Sequence, residues 1–382
     1  MNVVVIGAGA LGLCTASELI RLGVNDVTVL DRGSVAGASS GLSVGIIETQ
    51  YLDPLAIEIR VLAMEIFAAL ERDAGLRIVR NGYLRLAHSP DSLPAFERSV
   101  ELQRSLGVAD AVVLDEAGLR KLVPEMRCED LAGGLFGPSD GYIDGHLYCS
   151  LLADEVTAGG GRVVGGCAVL GDDALADGRH ALETSRGRFE CTHVVNAAGG
   201  WAGGVGELLG APVPILPQRH QALVAHLPHA LDHVMPSVMD YIPASGDYGL
   251  YFRHESPTQL IAGLHTEEAI HDLVDPDRFG RSDEHEYMER VAERFGWRLP
   301  GLSEARLGNV WAGLYPISPD GVPIVGPFSD RDGVFVVAGA GGSGLQQSPA
   351  LGRLAAEWIV HGEPRSVSGA EALRPDRSSL LV

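Results

Sequence analysis

Val3-Val4-Val5-Ile6-Gly7-Ala8-Gly9-Ala10-Leu11-Gly12 opens the chain, and this stretch together with the residues up to Asp31 decides the fold. Val3 to Ile6 is a short apolar run of the kind that forms a strand buried on both faces. Gly7-Ala8-Gly9-Ala10-Leu11-Gly12 comes directly after it. A helical pattern then runs to about Leu22, with Leu11, Ala16, Leu19 and Ile20 on one side. Val27 to Leu30 is a second buried strand and ends at Asp31. In this order each part has a physical task. Gly7 permits the tight turn, Gly9 lets backbone approach a pyrophosphate, and Gly12 lets helix and strand pack. The helix start, with Ala10 and Leu11, presents unpaired N–H groups and the positive dipole end to phosphates. Asp31 can accept from ribose hydroxyls and would repel a 2′-phosphate. The pattern implies a dinucleotide site, with NAD and FAD both still open.

Working outward, Gly37 to Gly45 is a run of small residues that includes Ser39, Ser40 and Gly41. Such a loop can line a bulky flat ring system, or lie on the surface. Asp53 to about Gly75, residues 91–107 and Leu147 to Ala158 read as helices, and Tyr83 to Leu86 as a strand. Phe189 to Asn196 reads as a strand running into Ala197-Ala198-Gly199-Gly200-Trp201, small residues that allow close approach to a nucleotide. Residues 213–305 alternate short strands with turns and then charged helical stretches, which suggests a second, mixed domain. Trp311-Ala312-Gly313-Leu314-Tyr315-Pro316 leads to a strand at Val334 to Val337. Gly339-Ala340-Gly341-Gly342-Ser343-Gly344 comes next, then Leu345 and Gln346, with a helix expected from near Ser348-Pro349 to Ile359. This is a second strand, glycine loop and helix. Its N-terminus could stabilise negative charge on a reduced flavin.

Bulk composition agrees with a folded protein of about two domains, at roughly 150 residues each. The chain has 382 residues, of which 49 are glycine, well above the usual share of about 7 %. Its formal net charge of −21 disfavours nucleic acid and anionic membranes as partners. Five cysteines with no Cys-x-x-Cys spacing give no metal site or disulfide framework and fit a reduced, cytoplasmic protein. No apolar run reaches the length of about 18 residues needed to span a bilayer.

Taken together, Gly7 to Gly12, Asp31, Val195-Asn196-Ala197-Ala198-Gly199 and Pro319-Asp320-Gly321…Gly326…Gly339…Gly344…Pro349…Gly352 resemble the D-amino-acid oxidase superfamily of FAD-dependent oxidoreductases. The glycine oxidase and sarcosine oxidase branch is the most similar. The resemblance covers nearly the whole chain with its motifs in order. It implies an α/β fold with a Rossmann-like FAD-binding domain from residues 1–77, 145–212 and 306–382. Residues 78–144 and 213–305 would form an α+β substrate domain with a large mixed sheet. FAD would contact Gly7, Gly9, Ala10, Leu11, Gly12, Asp31, Arg32, Ser39, Ser40, Gly41, Ala198, Gly199 and Trp201 from the first half. Gly313, Gly339, Gly341, Gly342, Ser343, Gly344, Leu345 and Gln346 would contact it from the second. The implied reaction moves hydride from the carbon bearing a small amine or amino acid's nitrogen to flavin N5, and the imine then hydrolyses.

Departures from the family pattern matter as much. Gly313 stands where covalent sarcosine oxidases carry an attaching cysteine, and Ser39 or Ser40 where some relatives carry an attaching histidine. FAD is therefore expected to be non-covalent. Tyr315 replaces the carboxylate-clamping arginine of Gly-Leu-Arg-Pro, while Glu48 and Gln346 fall at the arginine and lysine places of sarcosine oxidases. Arg253, Arg219 and Arg60 remain as clamp candidates, with an ion pair favoured for Arg60. Glu48 could meet a cationic part of the substrate or simply pair with an arginine. His265 matches the family histidine and could orient the substrate. Ile261 replaces the lysine that speeds reoxidation by O2, so O2 or another acceptor stays open. A hydroxy-acid enzyme, a NAD-only dehydrogenase and a flavin subunit with a heteromeric partner are the alternatives.

Overall fold

A computed structural model of the chain describes residues 1–243, 245–266, 273–280 and 285–380. Residues 244, 267–272 and 281–284, within the expected substrate-side span, and 381–382 lie outside the described residues. Val3–Ile6 sits inside a six-stranded sheet, paired in parallel with Val27–Leu30 and with His193–Asn196. Arg162–Val164 and Val334–Ala338 extend the sheet in parallel on either side, and Ile324–Pro327 closes one edge antiparallel. All four residues of Val3–Ile6 and of Val27–Leu30 are buried, as continuous apolar runs require of a sheet covered on both faces. The expected strand from Phe189 to Asn196 is two strands. Gly187–Cys191 pairs with His180–Thr184 in a separate three-stranded sheet, and the chain turns at Thr192 into the six-stranded one.

The helices Ala10–Arg21 and Gly344–His361 pack tightly against each other on one face of this sheet. Two glycines set that spacing. A Cβ on Gly12 would collide with the Gly7 carbonyl, so helix and strand can approach only there. A Cβ on Gly352 would lie 2.6 Å from Cys14 Cβ and 2.8 Å from Thr15 N. The second helix starts at Gly344, earlier than expected, and runs through Pro349. Proline cannot donate to the Leu345 carbonyl four residues back. Ser348 Oγ donates to that carbonyl instead, at 2.8 Å, so the helix survives.

An eight-stranded sheet forms the other half. Its order is Arg306–Ile317, Leu216–His226, Gln259–His265, Gly249–Ser256, Ser237–Asp240, Tyr83–Ala87, Gly133–Gly137 and Val112–Leu114. Ser237–Asp240 runs parallel to Tyr83–Ala87 and the other pairs are antiparallel, so the sheet is mixed. Strand alternation sends Leu250 and Phe252 into a core beneath the helix His285–Arg298. Tyr251 points the other way, into an aromatic cluster with Tyr83, Tyr241, Ile261 and Trp311. Arg306–Ile317 is the edge strand of this large sheet, although resemblance alone groups it with the FAD-binding span. Its far end reaches the first sheet, where Ile317 bridges Ala340.

Gly352→Val is expected to lower stability by about 1–3 kcal/mol through overpacking against Cys14. The check is the midpoint of thermal unfolding. An unchanged midpoint would show that the two helices are not held at the spacing described.

Candidate functional site

Both glycine corners open on one cavity of about 710 Å³. Gly7, Gly9, Ala10 and Leu11 line it from the first corner, and Gly341, Gly342, Gly344 and Leu345 from the second. Asp31, Arg32, Ser39, Ser40, Ala198, Gly199, Trp201, Gly313 and Tyr315 complete the walls expected from sequence. Gly7 has φ +117°, a conformation that glycine adopts without strain, which turns the strand end into the helix start.

The two helix ends are built to receive an anion. Helices Pro54–Ala74, Glu116–Leu122 and Gly145–Ala158 are capped by the carboxylates of Asp53, Asp115 and Asp144. Helices Ala10–Arg21 and Gly344–His361 begin at Gly9 and Ser343 with no side-chain cap. Ser40 Oγ takes the Ala10 N–H at 3.0 Å and leaves the rest of that first turn without a side-chain partner. Uncapped first turns carry orphan N–H groups and about half a positive charge. The residues therefore fit a pyrophosphate against Gly9 to Leu11 and a flavin ring against Gly341 to Leu345. Asp31 shapes its own loop: Oδ2 accepts from Ala8 N at 2.8 Å and Oδ1 from Gly33 N at 2.7 Å. Each carboxylate oxygen can accept again, so ribose hydroxyls still have acceptors.

The run Gly37 to Gly45 contains one helical turn, Ser39–Leu42. Ser39 Oγ donates to the Leu314 carbonyl at 2.8 Å, and Trp311 Nε1 donates to the Leu42 carbonyl at 2.9 Å. These bonds tie the loop to the edge strand that carries Gly313 and Tyr315.

Some expected site residues lie elsewhere. Gly12, Gly41 and Gly339 do not line the cavity; Gly12 works in packing, and a Cβ on Gly41 would strike the Ala36 carbonyl. Gln346 and Glu48 are buried outside it and bonded to each other, Glu48 N donating to Gln346 Oε1 at 3.2 Å. Glu48 is paired with Arg60 at 3.8 Å and its carboxylate accepts from Gln50 N at 2.5 Å. Burial raises its pKa, with Arg60 and Arg85 opposing. Arg253 does not reach the cavity: its guanidinium bonds to the Val44 carbonyl at 2.7 Å and to Glu255, and lies over Tyr142. Arg219 donates to the Gly280 carbonyl at 2.7 Å.

A smaller chamber of about 240 Å³ shares Ala340, Gly341 and Gly342 with the main cavity. Ser343, His265, Tyr51 and Arg60 are among its other walls. The His265 ring lies 6.0 Å from the Tyr315 ring. Arg60 is buried, stacked 3.3 Å over the Tyr51 centroid, and its Nε has no hydrogen-bond partner among the described residues.

Sequence reasoning missed His220, Gln221 and Tyr251, all of which line the main cavity. The His220 ring stacks on Tyr315 with centroids 3.6 Å apart and planes 13° apart. Burial, aided by repulsion from His265, holds His220 down to about 3 against a backbone hydrogen bond with Leu264. It is therefore neutral, and its Nε2 is buried with no partner among the described residues. Burial and the neighbouring Tyr315 push the Tyr251 phenol well up. Strand periodicity could have paired Tyr251 with the core, but nothing in a lone His-Gln on a long strand marks it as facing a cavity.

Comparison with known proteins agrees with this geometry. The family model described as FAD dependent oxidoreductase matches residues 2–358. Mitochondrial sarcosine dehydrogenase of Mus musculus is 30% identical over 375 residues, covering 95% of this chain and 40% of that protein. The chain thus spans well under half the length of that relative. Sarcosine oxidase subunit beta of Rhizobium meliloti (strain 1021) is 27% identical over 386 residues, covering 98% of this chain and 88% of that one. The crystal structure of L-proline dehydrogenase from P. horikoshii superposes with a TM-score of 0.86 at 23% identity, covering 98% of this chain and 96% of the other. A cavity lined by two glycine corners and a matching model over nearly the whole length lead to one conclusion: the chain belongs to the family of FAD dependent oxidoreductases.

Proposed function

We propose that the chain oxidises the CH–NH bond of a small amine or amino acid to an imine, which water then hydrolyses. The observation that carries this reading is the 240 Å³ chamber beside Gly341 and Gly342, small, part aromatic, and with the buried Arg60 in its wall. FAD, once bound, supplies the hydride acceptor. Similarity to a sarcosine dehydrogenase and to a sarcosine oxidase subunit supports the same chemistry, and the latter supports work alongside a partner subunit.

The chain's own residues have distinct tasks in this reading. Arg60, held by Glu48 at 3.8 Å from Nε and by the Ala56 carbonyl at 2.9 Å from Nη1, receives the substrate carboxylate through Nη2. His220, held neutral and stacked on Tyr315, adds no positive charge to the main-cavity wall next to the chamber. The aromatic wall of Tyr251 and Tyr315 on the adjoining main cavity disfavours the charged amine, which favours the neutral form that loses hydride. Ile261 is buried in the apolar cluster behind this wall, so a cation that would favour reaction with O2 is replaced by an alkyl group. That supports an acceptor other than O2. Ser39, Ser40 and Gly313 line the FAD cavity without a group suited to attach the ring, which supports dissociable FAD. Five buried free thiols support a reducing, cytoplasmic setting.

Anaerobic titration with secondary amines, amino acids and N-alkyl glycines should bleach the flavin band, with carboxylate-bearing amines acting at the lowest concentrations. Failure of every amine, with bleaching by a 2-hydroxy acid, would overturn the reading. Arg60→Gln is expected to weaken carboxylate-bearing amines about a hundredfold and to spare amines without a carboxylate. Equal losses for both would remove Arg60 from the substrate site.

His220 gives a pH prediction. Its folded pKa, about 3, lies below the ordinary histidine value, so between the two the unfolded chain binds a proton that the folded one does not. Stability should therefore fall as pH drops from about 6.5 toward 3, by up to about 1.4 kcal/mol per pH unit from this group. Denaturant unfolding of His220→Gln should show a shallower loss over that window. Identical slopes would mean that His220 is not held neutral.

A further inference from the structure

Asp277 belongs to no motif legible in the sequence, yet it lines the main cavity beside Arg32 and Trp201. Its Oδ1 accepts from Arg32 Nη2 at 2.6 Å and from Trp201 Nε1 at 2.9 Å. Arg32 also lies over the indole, with its guanidinium carbon 4.4 Å from the ring centroid. Three residues from three distant parts of the chain thus close a ring of contacts. It sits at the part of the cavity marked by Asp31, where the sequence places the ribose.

The segment that carries Asp277 is tied down at both ends. Leu273 bridges Gln218, and Val274 N donates to the Pro217 carbonyl at 2.9 Å. At the other end Arg219 Nε donates to the Gly280 carbonyl at 2.7 Å. All three anchors lie on the strand Leu216–His226 of the large sheet. Between them Asp275 makes a turn: its carboxylate accepts from Asp277 N at 2.9 Å and its carbonyl from Arg278 N at 3.0 Å. Residues 273–280 therefore leave the large sheet, turn at 275–278 and return, and the turn touches the six-stranded half at Arg32 and Trp201. Arg32 comes just after the strand Val27–Leu30, and Trp201 closes the turn Gly199–Trp201 beyond His193–Asn196.

Arg32 and Asp277 are 52% and 55% exposed, so the pair meets solvent on one side while lining the cavity on the other. A pair this exposed adds little to the stability of the fold. Its position at the wall of the cavity gives it a different use. We propose that residues 273–280 form a strap whose clasp, Asp277 on Arg32 and Trp201, closes over the Asp31 part of the bound FAD and slows its escape. The strap must lift before the dinucleotide can leave, so breaking the clasp changes the release rate while the glycine corners stay intact. It is a retention device of the cofactor site and does not depend on which substrate is oxidised.

The test is the rate of FAD release from the holoprotein, read as recovery of flavin fluorescence after dilution, with no substrate present. Asp277→Ala should release FAD about fivefold faster, and Asp277→Asn by a smaller factor. Raising ionic strength from about 0.1 M to about 1 M shortens the Debye length from about 10 Å to about 3 Å. That change should speed release from the wild type by a larger factor than from Asp277→Ala, whose remaining response comes from the phosphate contacts. The thermal midpoint of FAD-free protein should be the same in all three, and should it fall in Asp277→Ala, the difference in salt response between the wild type and Asp277→Asn decides. Equal release rates in wild type and Asp277→Ala, or the same salt response in both, would overturn the strap.

Discussion

Two helices whose own N-cap residues make no capping bond, aimed at the same space, are the constraint on which the rest of this structure depends. Orphan N–H groups at a helix start must find a partner, and among the described residues no carboxylate caps either helix. The other long helices bordering this core, Pro54–Ala74 and Gly145–Ala158, are closed by Asp53 and Asp144. Leu93–Ser105 and Ala202–Leu208 also lack a side-chain cap, so what marks the two ligand-facing helices is that their open starts converge on one cavity. A dinucleotide carrying phosphates near its middle and a ring that gains negative charge on reduction satisfies both open ends at once.

Packing makes that convergence possible. Helices Ala10–Arg21 and Gly344–His361 touch through Gly352 and Cys14, and the contact is locked from behind by Tyr148, whose hydroxyl meets Cys14 Sγ at 2.9 Å and Ser348 Oγ at 3.2 Å. Burial pushes the Cys14 thiol up to about 12, so it acts as a small apolar group there and not as a nucleophile. The large sheet then contributes what the nucleotide half lacks. Its edge strand brings Tyr315 to the ring side of the cavity, and its next strand stacks His220 on that tyrosine. The proposed amine chemistry sits where these two halves meet.

Much of this was legible in the sequence because local rules fix it. Gly7 to Gly12 with Asp31 reflects backbone sterics and helix ends; Gly7, Gly9, Ala10, Leu11 and Asp31 line the cavity, while Gly12 sits in the helix–strand contact. The second corner at Gly341 to Leu345 was legible for the same reason. What was not legible depends on contacts between distant residues. Whether Glu48 or Arg253 faces a cavity is set by which partner reaches it, and Arg60 and the Val44 carbonyl reach them first. His220 carries no local signal, since its neutrality comes from burial by strands far away in sequence. The helix start at Gly344 was hidden by Pro349, which a hydroxyl one residue earlier makes tolerable.

Trp201 and Trp311 both line the cavity, so the intrinsic fluorescence of the chain reports directly on what enters it. Titration of FAD-free protein with FAD should quench that fluorescence to saturation at one FAD per chain, while NAD leaves it unchanged. Saturable quenching by NAD with none by FAD would contradict the account at its root, because the two open helix ends would then not be bridged by a flavin dinucleotide.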